Sequence, residues 1–101
     1  MENTGLKKNI DSTNANSKVL VSARRGVLYS ICIGTTSAQA ITLYDDTNTT
    51  TPTGKIIAIK ASIVEQTLFF GADGVQLDKG IVVNVPAGYT GDMSINFKIA
   101  G

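Results

Sequence analysis

Eight acids, nine bases, one thiol and no histidine are the groups with which this 101-residue chain could do chemistry. Without histidine, Ser-His-Asp and Cys-His nucleophiles and imidazole-bound zinc are excluded. A single cysteine, Cys32, excludes a Cys-x-x-Cys redox pair and an internal disulfide. Two carboxylates at a suitable separation can hydrolyse glycosides. Here Asp45 and Asp46 are adjacent, Asp73 and Asp78 flank a short segment, Glu65 and Asp92 stand alone, and no Trp is present to line a sugar cleft. The expectation is a protein that is not an enzyme. Asp45, Asp46 and Asn48 offer oxygen ligands but lack the alternating Asp spacing of an EF-hand loop, so a capped turn is their expected role and no metal or cofactor is expected. Asn48-Thr49-Thr50 fits a glycosylation sequon, which has no meaning in a chain read as having no secretory signal. No Gly-x-Gly-x-x-Gly or Walker sequence supports nucleotide binding. The basic pairs Lys7-Lys8 and Arg24-Arg25 are too short, and too poor in interleaved aromatics, for specific nucleic-acid binding.

The elements that must position these groups are strands. From Met93 the chain alternates Met93, Ile95, Phe97 and Ile99 with Ser94, Asn96 and Lys98, the two-residue period of a half-buried strand. Further apolar, β-branched segments at 18–23, 26–34, 40–45, 55–62, 66–70, 74–78 and 80–85 are separated by Gly-, Pro- and Asp-rich turns. This spacing predicts an all-β chain: a single β-sandwich or jelly-roll-like domain of about seven to eight antiparallel strands. The one helical competitor, residues 60–69, is rich in β-branched residues and is read as strand. Gly74 and Gly80 stand where a positive φ would be cheap, and Gly26 where one strand turns into the next. Cys32, between Ile31 and Ile33, reads as a small buried hydrophobe.

Residues 1–17 offer only Leu6 and Ile10 as sizeable apolar groups, so they read as a polar, basic, extended N-terminal arm ahead of a sandwich spanning 18–101. The net charge of +1 is unevenly placed: residues 1–25 carry +3 and the remainder −2. A body of this size buries only about 60–65% of its unfolded surface, and 17% charged residues is a low share. Both suit packing against other chains. The threonine-rich stretch 45–54 reads as an exposed connection able to touch a partner. The candidate contact residues are therefore Lys7, Lys8, Arg24, Arg25, Asp45, Asp46, Asn48 and Thr50. No apolar run is long enough to span a membrane as a helix, and the lone cysteine suits synthesis in a reducing cytoplasm.

The segments GVLYSICIGTTSAQAITLYDDTNTTTPTGKIIAIKAS and GVQLDKGIVVNVPAGYTGDMSINFKIAG, from Gly26 and Gly74, resemble small structural proteins of tailed bacteriophages. The likeness lies in the strands opening at Gly26, Ile41 and Gly54 and in Lys79-Gly80-Ile81-Val82-Val83 followed by the alternating last strand. It covers about three quarters of the chain and rests on strand patterning, without a signature motif. Such proteins are β-sandwich virion components, often head decoration or cement proteins. The resemblance implies a capsid-surface protein that bridges neighbouring capsid subunits. Its partners would be the major capsid protein or other virion proteins and its own copies, with a trimer as the expected oligomer. A tail or head-fibre domain touching host glycans through Tyr44, Tyr89 and the threonine loop is the alternative expectation.

Overall fold

A computed structural model describes residues 6–35, 39–59 and 66–100. They form nine strands: β1 (Leu6–Ile10), β2 (Ser17–Ser22), β3 (Gly26–Thr35), β4 (Ile41–Tyr44), β5 (Lys55–Ile59), β6 (Gln66–Phe69), β7 (Val75–Leu77), β8 (Ile81–Val85) and β9 (Asp92–Ile99). The first sheet runs β1-β9-β3-β6, with β7 also on β3, and the second runs β2-β8-β4-β5. Every pairing is antiparallel.

β6 pairs with residues 30–33 of β3 and β7 with residues 26–28, so the two share one edge of β3 in tandem. Taken as one interrupted strand, they give the pairs β1·β9, β2·β8, β3·β6/β7 and β4·β5. That is a long antiparallel hairpin rolled on itself, the wrapping of a jelly roll. Its inner faces bury Leu28, Ile31 and Ile33 from β3, Ile41 and Leu43 from β4, Ile81, Val83 and Val85 from β8, and Met93, Ile95 and Phe97 from β9.

Leu28 and Ile31 both face this core although they are three residues apart, which strict alternation forbids. The register between β3 and β9 slips between Leu28 and Ser30, making Tyr29 an extra, bulged residue that resets the phase. At the start of β3, a Cβ on Gly26 would lie 1.9 Å from the carbonyl oxygen of Lys98, so only glycine lets β9 pair this closely. Gly26 opens a strand and makes no turn. Gly74 has the expected positive φ of 67°, whereas Gly80 is required by space, its missing Cβ falling 2.2 Å from the Ser22 carbonyl oxygen.

Two expectations need correction. Residues 6–17 are part of the sandwich and not an arm: β1 pairs with β9 from Leu6 opposite Phe97 to Ile10 opposite Met93, and Ile10 is fully buried. A 3-10 turn at Ser12–Asn14 then leads to β2, capped reciprocally by Asp11 and Asn14. The Thr13 amide donates to Asp11 Oδ1 (2.9 Å) and the Asp11 amide to Asn14 Oδ1 (3.0 Å). Residues 1–5, and residues 60–62 of the strand expected at 55–62, lie outside the described residues. The second correction is Cys32, which is exposed. It stands opposite Ser94 on the outer face of the first sheet, between Ile31 and Ile33, which point inward.

Candidate interaction surface

Asp45 and Asp46 follow β4 directly and divide the work of fixing the loop 45–54. Asp46 is only 7% exposed. Its Oδ1 accepts the amides of Thr47 (2.7 Å) and Asn48 (3.2 Å), while its Oδ2 accepts the Thr53 amide (2.8 Å) and hydroxyl (3.3 Å). These bonds, the Thr53 amide first, hold the carboxyl down at about 2, from an ordinary 3.8. Asn48 Oδ1 accepts the amides of Thr50 and Thr51 (2.8 and 3.1 Å), and the Asp45 amide donates to the Gly54 carbonyl (2.8 Å), closing the loop at its stem.

Asp45 reaches the other way. Its carboxylate accepts the backbone amides of Asp78, Lys79 and Gly80 at 3.0, 2.9 and 3.3 Å. Burial pushes this carboxyl up, but the three amides and the nearby Lys79 charge outweigh it and leave it below its ordinary value. Both carboxylates are thus taken up by backbone amides, Asp46 within its own loop and Asp45 in the turn 78–80, which gives them the capped-turn role. Asn48 is a turn former, and Thr50 is exposed on the loop.

The other candidates are placed differently. A Cβ on Gly80 would also lie 3.2 Å from the Thr47 methyl, so the turn 78–80 packs between the end of β2 and the loop 45–54. Arg24 and Arg25, both exposed in the β2–β3 connection, therefore share one end of the sandwich with that loop. The Arg25 carbonyl accepts the Ala100 amide (2.9 Å). Lys7 and Lys8 lie away from this end on β1, Lys7 opposite Asn96 on the outer face and Lys8 opposite Ile95 on the core side. Because Lys8 interrupts the apolar series Leu6, Lys8, Ile10, the alternation that would announce β1 is hidden.

The exposed large apolar side chains are Leu6 (38%), Leu20 (43%) and Phe69 (69%). Each sits on a strand at a sheet edge: β1, β2 and β6. Pattern reading missed them because alternation tells which face a residue takes, not whether its strand has a neighbour. On the opposite side from β1 and β2, the edges of β5 and β7 frame a groove of about 600 Å³, whose lining includes Ile56, Ile57, Phe70 and Val75 with Lys55 and Asp78.

The two outer faces differ in chemistry. On the first sheet, small polar groups bond to one another: Asn96 Nδ2 donates to Ser30 Oγ (2.9 Å), and Thr67 Oγ1 and Asn96 Nδ2 lie 3.7 and 3.6 Å from Cys32 Sγ. On the second sheet, the registers align Leu20, Val82, Tyr44 and Lys55 in one row and Lys18, Asn84, Thr42 and Ala58 in the next. Tyr89 is 5% exposed and belongs to the core cluster, so it provides no ring for a glycan. Burial, and then the charges of Asp92 and Asp11, push its hydroxyl above the ordinary value. Among the described residues, no three of His, Cys, Asp and Glu gather to hold a metal. The fold and these surfaces define a small all-β sandwich. No protein-family model matches this chain, and no curated protein is significantly similar to it.

Proposed function

We propose that this protein is a structural component of an assembly, one that decorates or cements a bacteriophage capsid by bridging neighbouring capsid subunits at the virion surface. The observation that carries the assembly reading is the position of Leu6, Leu20 and Phe69, large apolar side chains left exposed on edge strands. Edge strands present unpaired backbone groups, and apolar side chains beside them favour contact with another chain. The resemblance of the strand pattern to small phage structural proteins is what points this reading to the virion. Lys7, Arg24 and Arg25 are exposed and remain available to acidic groups of a capsid subunit.

Pelleting with capsids that lack the protein tests this. The wild-type chain should sediment with the particles at saturable stoichiometry, and the triple variant Leu6→Ser, Leu20→Ser, Phe69→Ser should stay in solution while retaining its β-sheet circular dichroism. Equal pelleting of the two, or no pelleting of the wild type, would overturn the proposal.

A further inference from the structure

The outer face of the second sheet breaks the usual rule that an antiparallel sheet shows polar side chains to water. Val82 points outward, opposite Leu20 of β2 and Tyr44 of β4, yet it is fully buried and stands outside the inner core cluster. Leu20, its partner on β2, stays 43% exposed. The result is an apolar pad crossing β2, β8 and β4, with Leu20 as its exposed member. Lys55 continues the pad's row and Lys18 begins the row beside it, at the opposite corner. The described residues of these two rows include no carboxylate. Beyond the rows, Lys55 also borders the groove lined by Asp45 and Asp78, where the Asp45 carboxylate is held by backbone amides.

From this we infer that the outer face of the second sheet is a docking site for a short acidic segment of a partner protein, one that carries a bulky apolar side chain. The apolar side chain would rest on Leu20 beside Tyr44, and flanking carboxylates would meet Lys18 and Lys55. Two observations favour this occupant over a second copy of the chain. Like faces meeting would bring four lysines together with no carboxylate in either pair of rows, and like-charge juxtaposition is costly. The two rows also cover roughly 250 Å², with strands about 4.8 Å apart and same-face neighbours about 6.8 Å apart. A stable dimer needs about 800 Å² per partner.

The inference rests on the assembly reading for the partner being a protein, and its test is separate from the pelleting assay. Fluorescence anisotropy of the whole chain is measured against three labelled peptides: acidic with a Leu-Phe centre, acidic with a Gly-Gly centre, and basic with a Leu-Phe centre. The first should bind best, weaken with added salt, and shift the NMR amide signals of Lys18, Leu20, Tyr44, Lys55 and Val82. The double variant Lys18→Glu, Lys55→Glu should lose about tenfold in affinity for it and should turn to the basic peptide. Leu20→Ser, at an exposed edge, gives a second weakening variant should the charge reversal disturb folding. Equal binding of the Gly-Gly peptide, equal competition by oligothymidine, shifts confined to the first sheet, or a dimer abolished by Leu20→Ser would each overturn it. Capsid pelleting without peptide binding would overturn this inference alone.

Discussion

Asp46 shows how one side chain contributes to the acid limit of the protein. Its carboxyl lies at about 2 in the folded chain against an ordinary 3.8, so it adds stability at pH above the higher value. That contribution disappears as pH falls through the lower one. Asp45 acts in the same direction. The urea midpoint is therefore expected to be flat above about pH 5 and to drop between about pH 4 and pH 2. Asp46→Asn, which cannot accept at both oxygens, should lower the midpoint at neutral pH and flatten that drop. An unchanged acid limb in denaturation curves would contradict the clamp. Cys32 supplies a second check at this scale: exposed on the outer face, it should react with a maleimide in the native protein at close to the rate seen in denaturant. Protection until unfolding would mean that the thiol is covered.

At the scale of elements, β1 carries the largest correction, and it leads to a truncation test. Ile10 is fully buried against the core at the end of β1, and deleting a buried aliphatic to Ala costs about 2–5 kcal/mol. Ile10→Ala should fall in that range by urea denaturation, and removal of residues 1–16 should abolish cooperative unfolding by baring β9. A stable, cooperative truncated chain would restore the arm. Eight of the nine strands were legible because β-branched runs and turn residues announce them, and the alternation of β9 gave its inward face correctly. β1 was not legible because Lys8 occupies a core-side position at an edge, where a long side chain reaches water and deters a further strand from pairing. The same edge effect hid Leu20 and Phe69. Asp45 and Asp46 were legible as turn formers, but the partners of Asp45, thirty-odd residues away in the turn 78–80, become neighbours only through the roll of the sheets.

For the molecule as a whole, the rolled hairpin makes the outermost pairing, β1 with β9, join segments from opposite parts of the sequence. Closing such distant pairs is slow, and refolding is expected on the order of milliseconds to seconds, slower than a helical bundle of equal length. Stopped-flow tyrosine fluorescence reads this directly, and a microsecond phase carrying the full amplitude would contradict the topology. The sandwich also has a back and a front. Cys32, the one cysteine of the chain, lies on the outer face of the first sheet, with the whole thickness of the core between it and the pad around Val82. A copy seated through that pad would aim its thiol away from the support. A lattice of such copies would become a regular array of identical chemical handles, ready to carry a gold cluster or a dye at every position without disturbing what holds the array in place.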